Sequence, residues 1–426
     1  MDASTLTRIL QAEIQRATGC TEAASIAYAT ARAVQELGGP AESIEVALSP
    51  NMYKNAILVG IPGTGLRGAR AAAAAGAVYP HPEHRLEILE HITAAHRAAV
   101  QTWLDGDRIQ VTCLEDAEGV YARVTASGPS GKASAVIAGA HDHLAEVRRG
   151  GQVVFQDAAQ TAECQLSLLQ YPLRQVIQAV LDEDPETFSF LLDGVQLNRA
   201  MAEEGLRHGA SRLSQGIGSI AGSGASGLST AMFEVQRLTS AASEARMTGL
   251  DRPVMAITGS GNHGITHFLG VYALAEHLGA SREQLLRALA ISAAITVYIK
   301  EITGKMTAFC GCAIAPATGL AAAAVHLLGG GWEQMTLAMQ TVVGTFAGLL
   351  CDGAKESCAY KVSTAAGAAV EFAHLAMQGV GIPPVNGIVG PEIEATLRSL
   401  GELNRQGMRE TDRVVIRLIE QHLTGA

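Results

Sequence analysis

Apolar and polar positions near the start of the chain switch between the spacing of helices and that of strands. Leu6, Ile9 and Leu10 open a helical pattern over residues 4–17, which the segment ATGC interrupts. A second helical pattern, TEAASIAYATARAVQEL, ends at GGP, because glycine and proline commonly stop a helix. In SIEVALS every second residue is apolar, as in a strand with one buried face.

More strand patterns follow in RIQVTCL, VYARVTAS and ASAVIAG. The segments DAEG and GPSGK between them are predicted to be hairpin turns, and HLAEVRRGGQVVFQ predicts a further hairpin. Residues 1–165 are therefore predicted to form an α+β N-terminal domain.

Beyond residue 165 the strand patterns fade and long helical patterns replace them, separated by glycine clusters. The predicted helices cover approximately 188–209, 222–247, 263–278, 282–300, 312–329, 333–350 and 357–378. A chain of 426 residues is also longer than a single core usually organises. Residues 166–426 are therefore predicted to form a second, mainly α-helical domain.

Two stretches, residues 306–332 and 334–351, contain no Asp, Glu, Lys or Arg and are long enough to cross a membrane. Alanine and glycine supply much of their hydropathy, and they lack aromatic belts and flanking clusters of Lys or Arg. We therefore expect buried helices here and no membrane partner.

The composition, 48% hydrophobic with a net charge of -10, is that of a folded acidic protein. An acidic surface argues against nucleic acid or anionic lipid as the main partner. The segment MDASTLTRILQAEI lacks the charged and apolar regions of a signal peptide, and the number of cysteines is odd, at seven. We therefore expect a reducing, cytoplasmic location.

Four cysteines of the helical half are candidate metal ligands. Cys310 and Cys312 lie two residues apart, and Cys351 and Cys358 lie seven apart. Seven residues of continuous helix rise about 10 Å, which is long for two ligands of one compact ion, but the Asp-Gly pair after Cys351 could turn the chain. Three thiolates from separate segments suit an iron–sulfur cube with one open iron. Packing thiols and a zinc site remain alternatives.

Cys20 stands apart from these four, at the break before the second predicted helix. Exposed N–H groups at a helix N-terminus favour a thiolate, although an ionised Glu22 would oppose it. A simple capping turn explains the position equally well. Cys113 and Cys164 are interpreted as packing residues.

Two polar segments could bind a small anion. ITGSGNHGITHFLG follows the apolar run PVMAI and opens a helix, where backbone N–H groups could receive a carboxylate and Asn262 and His263 would add donors. SPNMYKNAILVGIPGTG places Asn51, Lys54 and Asn55 directly after the first strand, where Lys54 could pair with a substrate anion. A capped helix start and a surface loop are the alternatives.

The sequence SGNHG also occurs in a similar form in pyridoxal-phosphate dehydratases. Those enzymes need a Schiff-base lysine upstream of that loop, and no lysine lies between Lys132 and Lys300. Two histidines, His141 and His143, are interpreted as surface residues of a strand, and Lys300 and Lys305 as a pocket rim or a solvated edge. The roles of His141 and Lys305 stay open.

Five segments together resemble the L-cysteine desulfidase family, which is related to iron–sulfur L-serine dehydratases. They are GCTEAASIAYA, SPNMYKNAILVGIPGTG, GSGNHGI, CGCAIAPATG and CDGAKESCAYK, in that order. The resemblance covers nearly the whole chain. It departs from the usual GCTEP at Ala23, a change that should shift the helix start little. It implies a helical C-terminal domain that binds a [4Fe-4S] cluster.

The resemblance also implies roles for individual residues. Cluster ligands would be Cys310, Cys351 and Cys358, with Cys312 as the alternative to Cys310, and Cys20 would be the catalytic base. The implied substrate-binding residues are Asn51, Lys54, Asn55, Ser260, Gly261, Asn262, His263 and Gly264.

The reaction that the resemblance implies is α,β-elimination from a small L-amino acid, L-cysteine giving sulfide, ammonia and pyruvate. Dehydration of L-serine or another β-hydroxy amino acid at the same site is the alternative, because no residue distinguishes thiol from hydroxyl. A pyridoxal-phosphate lyase, a structural zinc protein and a cluster-binding module without catalysis are the other hypotheses. A homodimer is one possible assembly.

Overall fold

The computed structural model describes residues 1–157, 166–209, 211–222 and 227–425. Its strands are β1 Ile14–Thr18, β2 Ser43–Leu48, β3 Gly60–Ile61, β4 Leu66–Arg67, β5 Ile109–Cys113, β6 Tyr121–Gly128, β7 Gly131–Ala138, β8 Leu144–Arg149, β9 Gln152–Gln156 and β10 Pro253–Ile257. The fold is mixed, with a sheet in the N-terminal half and mostly helices in the C-terminal half, as predicted. Cys164 lies outside the described residues.

The helices alternate with these strands in the N-terminal half, and in the C-terminal half they follow one another with only β10 between α9 and α10. They are α1 Ala3–Glu13, α2 Thr21–Leu37, α3 Pro50–Ala56, α4 Ala69–Val78, α5 Ala94–Asp105, α6 Leu173–Asp182, α7 Leu191–Arg207, α8 Arg212–Ala221, α9 Leu228–Met247, α10 Gly261–Leu278, α11 Arg282–Thr303, α12 Gly311–Leu327, α13 Trp332–Phe346, α14 Cys358–Met377, α15 Ile393–Glu402 and α16 Thr411–Thr424.

The main sheet has six strands in the order β5-β2-β6-β7-β8-β9. The β6–β7 and β8–β9 hairpins are confirmed. The hairpin predicted at DAEG is wrong, because β2 lies between β5 and β6, parallel to the first and antiparallel to the second. Ile44, Val46 and Leu48 make β2 apolar, so it takes a central position that the local turn sequence does not reveal. Helix α2 packs against β6 and β7.

The first predicted helix ends earlier than expected, at Glu13, and the next five residues form β1. That strand pairs antiparallel with β10 of the other half, with Ile14 opposite Ile257 and Thr18 opposite Pro253. Pairing with a partner some 240 residues away overrides the local helical pattern. A contact of such sequence separation leaves no signal in the short window from which the helix was predicted.

The helical half is built around α12, which is packed between α10, α11, α13 and α14. The two uncharged stretches form α12 and α13 within this core. Among the residues described, no helix combines the length and the apolar character needed to cross a bilayer.

The two halves share packing across the predicted boundary. Leu6, Ile9 and Leu10 of α1 belong to the core of the helical half, and Met247 and Met306 pack into the core beneath the sheet. The boundary at residue 165 stays a prediction. Helix α1 precedes that boundary in the sequence but packs against the helical half.

Gly264 allows α10 to lie directly against β10, because a Cβ at this position would overlap the carbonyl oxygen of Met255. We expect Gly264→Ala to lower the free energy of unfolding by about 2 kcal/mol, as overpacking does. Urea denaturation measures this from the transition midpoint at constant slope. Gly216→Ala is the matched control. It lies within α8 with open space around it, so it should be neutral or stabilising by about 0.5–1 kcal/mol. Equal midpoints for the two variants would contradict this role of Gly264.

Candidate active site

Two loops of the helical half hold the four cysteines near one another. Cys310 caps the N-terminus of α12, and its N–H donates to Leu349 O at 2.6 Å. The N–H of Cys351 donates to Ala308 O at 2.8 Å, so the segments before α12 and after α13 run antiparallel. Cys358 is the first residue of α14. This short ladder places Cys310 and Cys351 on adjacent strands of backbone.

The chain turns between Cys351 and Cys358 as the Asp-Gly pair predicted. Gly353 has a φ of +95°, a conformation that suits glycine, and its carbonyl oxygen accepts from the Cys358 thiol at 3.4 Å. Asp352 binds both Lys355 and Lys361. The seven-residue spacing is therefore not a continuous helix, and the two thiols can face one site.

Burial makes three of these thiols, those of Cys310, Cys312 and Cys358, hard to ionise. It raises the pKa of Cys358 to about 11 and that of Cys312 to about 12, and the pKa of Cys310 lies well above its ordinary value. After burial, the largest contribution at Cys310 is the negative charge that Cys312, Cys351 and Cys358 would carry. Such effects indicate that the other three thiols lie close enough to Cys310 for their charges to oppose its ionisation. A bound cation is what would make them all thiolates together.

No group of three or more His, Cys, Asp or Glu side chains in the described ranges is arranged to hold a single metal ion.

Cys20 lies on the other half, at the N-cap of α2. Its thiol is 2% exposed and donates to Glu22 Oε2 at 2.7 Å. Asn55 Nδ2 donates to the other oxygen of Glu22 at 2.8 Å, and Asn55 Oδ1 lies 3.8 Å from the Sγ of Cys351, which donates to it. Asn55 therefore connects the surroundings of Cys20 with the cysteines of the helical half.

The helix N-terminus does not make Cys20 a thiolate. Burial and the negative Glu22 raise its pKa well above the ordinary value, and the nearby Arg246 only partly opposes them. Burial would also raise the pKa of Glu22, but His141 and the hydrogen bond from Cys20 outweigh it and hold that pKa well below its usual range. The resting pair is a thiol hydrogen-bonded to a carboxylate.

The predicted anion-binding loop before α10 lies beside the cysteines. Ser260 caps α10, accepting from the N–H of His263, and its hydroxyl lies 3.5 Å from Cys312 Sγ. Asn262 accepts from Arg246, a buried residue that also donates to Gly19 O. Gly261 lies against the same guanidinium. Arg246 lies in a continuous helical pattern, and nothing in its local sequence indicates this role.

His263 points one ring nitrogen at the site. Its Nδ1 lies 2.7 Å from Thr258 Oγ1 and 3.2 Å from Ile257 O. Because Thr258 itself donates to Ile257 O, this arrangement assigns the ring proton to Nδ1 and leaves a lone pair on Nε2. Burial, reinforced by Lys300, holds the pKa of His263 well below its ordinary value, so the ring is neutral.

Lys300 is the clearest residue whose role the sequence did not show. It is 3% exposed, and its Nζ has no hydrogen-bond partner within the described chain. A Cβ added at Gly311 would lie 3.2 Å from Lys300 Nζ, from His263 Nε2 and from Thr307 Oγ1, so these three atoms surround a space that glycine leaves open. Burial lowers the pKa of Lys300 to about 8, against the opposing effect of the cysteines.

Three other candidate residues are placed differently from the expectation. Lys54 is 1% exposed and forms an ion pair with Asp412 of α16, so it is not a free cation. Lys305 pairs with Glu13 at 3.2 Å, which links the loop after α11 to α1. Asn51 lines a cavity of about 840 Å³ between the two halves, together with Thr307 and Asp412.

His141 corrects a second expectation, because it is buried and not a surface residue. It is 4% exposed, and its Nε2 lies 3.8 Å from Glu22 Oε1. Neither ring nitrogen has a hydrogen-bond partner in the part of the chain that the structure describes.

The Lys54–Asp412 pair tests whether α16 is needed for stability. Removing one partner leaves a buried charge unpaired, so Asp412→Ala should lower the free energy of unfolding by about 3 kcal/mol in urea. The double variant Lys54→Met/Asp412→Leu should recover most of that loss. Glu410→Ala breaks an exposed pair with Arg413 and should change stability by at most about 0.5 kcal/mol. A value as small for Asp412→Ala would exclude a structural role for the buried pair.

Comparison with known proteins identifies the family of this chain. Residues 83–417 match the serine dehydratase alpha chain family. A UPF0597 protein of Methanocella arvoryzae is 41% identical over 99% of both chains, and one of Clostridioides difficile is 36% identical over 96% of this chain and 98% of its own. A third, from Desulfatibacillum aliphaticivorans, is 34% identical over 98% of both. The chain belongs to the serine dehydratase α-chain family.

Proposed function

We propose that this chain catalyses α,β-elimination from a small L-amino acid with the help of an iron–sulfur cluster. The observation that carries the proposal is the position of Asn55, whose amide contacts both the carboxylate that binds Cys20 and the thiol of Cys351. A candidate base and a candidate cluster site from different halves thus meet in one place. Membership of the serine dehydratase family supports an enzyme of the lyase type.

The residues present fit a [4Fe-4S] cluster. The donors are all sulfur, from separate backbone segments, and they are buried and mutually interacting. Cys310, Cys351 and Cys358 would hold the cluster, and Cys312, beside Ser260, is the alternative to Cys310. With three ligands, the cluster would supply one open iron that acts as a Lewis acid toward the substrate.

The space beside Gly311 suits the charged end of an amino acid. Lys300 brings to it an ammonium group without a hydrogen-bond partner among the described residues, so a carboxylate would be bound there. The Thr307 hydroxyl lies beside the same position but donates its own proton to Phe309 O. The lone pair of His263 Nε2 would accept a hydrogen bond from the α-ammonium group. Burying an unpaired lysine is costly, and a bound anion would offset that cost.

Cys20 would take the proton from Cα, once it has lost its own. Loss of this proton and of the β substituent leaves an enamine, which tautomerises and is hydrolysed to a 2-oxo acid and ammonia. The neighbouring residues Asn55, Ser260 and Asn262 would hold the substrate in the orientation that this step needs.

L-cysteine, giving sulfide and pyruvate, is the substrate we propose first. L-serine is the second candidate, because the chain belongs to the serine dehydratase α-chain family. Both substrates have the same carboxylate and amine, so the same residues would bind either.

Anaerobic reconstitution with iron and sulfide tests the proposal. We expect a brown protein that binds about four irons and releases a 2-oxo acid from L-cysteine or L-serine. Cys310→Ser, Cys351→Ser and Cys358→Ser should each lose bound iron, whereas Cys113→Ser, on strand β5, should keep it. Cys20→Ser should keep the iron and lose at least about 100-fold in kcat. A wild-type chain that binds no iron would refute the proposal.

Lys300→Met tests carboxylate binding separately. Losing a charge-assisted hydrogen bond costs about 1.5–3 kcal/mol, so kcat/KM should fall about 10- to 100-fold, mainly through KM, with the iron content kept. Lys305→Met is the control, since Lys305 pairs with Glu13 and not with the site. An unchanged KM in Lys300→Met would remove Lys300 from substrate binding.

A further inference from the structure

Cys20 cannot act as a base while its sulfur carries a proton. Its thiol is buried, and its hydrogen bond to Glu22 Oε2, at 2.7 Å, already uses that proton. The site therefore needs a group that takes the thiol proton before the substrate's proton is removed. A thiol in bulk water could pass its proton to solvent, but this one is enclosed.

The carboxylate of Glu22 leads from Cys20 to a second titratable group. Its Oε2 accepts from the Cys20 thiol and, at 3.2 Å, from Thr21 Oγ1. Its Oε1 accepts from Asn55 and faces His141 Nε2 at 3.8 Å. Thiol, carboxylate and imidazole are thus arranged in a row.

His141 is held in place but its ring has no hydrogen-bond partner among the described residues. Its carbonyl accepts from Ser25 Oγ of α2 at 2.6 Å, which fixes the loop between β7 and β8 over that helix. Its Nδ1 faces Gly259, where an added Cβ would lie 2.7 Å away. A buried histidine with two unsatisfied nitrogens is unusual for a residue that serves packing only.

Other charged groups surround this row on every side. Arg246 of α9 acts on Cys20 and donates to Gly19 O. His263, beyond Gly259, is influenced by both Glu22 and Lys300. Arg246 and His263 are held by their own partners or by burial. The ring of His141 lies near Glu22 and has no hydrogen-bond partner among the described residues.

We propose that Glu22 and His141 are positioning residues that convert Cys20 into a base by relaying its proton. The inference rests on the proposed function, in which Cys20 removes the α-proton. The S–H bond breaks and its proton passes to Oε2 of Glu22. The carboxyl group then turns and passes this same proton to His141 Nε2. The result is a thiolate, a carboxylate and an imidazolium, with no change in total charge.

The cycle closes without an added reagent. The thiolate takes the α-proton and becomes a thiol again. The extra proton of His141 passes to the departing β substituent, which leaves as hydrogen sulfide or water, and this balances the proton taken from the substrate. The 3.8 Å between His141 and Glu22 exceeds a hydrogen bond, so the ring must approach slightly or a water must bridge; catalytic contacts commonly tighten when substrate binds.

The first experiment uses the metal-free full-length chain and does not depend on lyase activity. Methyl methanethiosulfonate, a small thiol reagent, is applied across a range of pH, and its reaction at Cys20 is followed by peptide mass spectrometry with Cys113 as internal standard. A minor thiolate–imidazolium form, in equilibrium with the resting thiol, predicts a pH-independent region of reactivity around neutral pH. In His141→Gln this region should vanish. The rate should then fall about tenfold for each unit by which the pH is lowered, as for an isolated thiol.

The second experiment measures turnover of the reconstituted enzyme. His141→Gln and Glu22→Gln should lower kcat about 100-fold or more while KM changes by less than about threefold, because the relay acts on the proton and not on substrate binding. Glu22→Asp, which keeps the carboxylate, should recover part of the loss. His143→Gln, in the same loop, is the matched control and should keep activity.

The outcomes separate the relay from the proposed function. An active wild type, with His141→Gln equal to it in kcat and in the pH profile of Cys20, overturns the relay and leaves the function standing. A reconstituted wild type without lyase activity overturns the function, and the pH profile of Cys20 then still decides the relay. A Cys20 that stays unreactive at neutral pH in the wild type also overturns the relay.

Discussion

The pairing of β1 with β10 is the contact on which the candidate site depends, because it joins two halves that each hold only part of the chemistry. Gly19 and Cys20 follow β1 directly, and α10 begins shortly after β10. Arg246 strengthens the junction by donating to Gly19 O and to Asn262 Oδ1. If this junction were to open, Cys20 would leave the cysteines and the lysine of the helical half.

Buried charge at this junction indicates where a ligand belongs. Lys54 and Asp412 pair with each other, and Glu22 has three donors around its carboxylate, so the cost of their burial is offset within the chain. Lys300 differs, because no described residue pairs with it. A protein that buries such a cation is suited to bind an anion beside it, because a bound anion would offset the cost of burying the charge.

Local sequence patterns were sufficient for the elements but not for their contacts. The β6–β7 hairpin and the long helices follow from turn residues and apolar spacing, and the turn at Gly353 follows from an Asp-Gly pair. Strand β1 and the position of β2 cannot be predicted from local patterns, because each depends on pairing with a strand far away in the chain. Long-range contacts also explain why some site residues could be predicted and others could not. The cysteines are recognisable by type, whereas the partnership of Lys54 with Asp412, 358 residues on, and the burial of His141 are set by tertiary packing alone.

A neutral amide, that of Asn55, joins the two halves at the candidate site, where a cation would disturb the groups on both sides. Asn55 offers one donor to Glu22 and one acceptor to the thiol of Cys351, so it joins them without adding charge. A lysine in its place would stabilise the Glu22 carboxylate so strongly that the carboxylate could not accept and pass on a proton. It would also place a positive charge where a cluster is to bind. A neutral bridge leaves Glu22 responsive to Cys20 and His141, and it leaves the thiols free for metal.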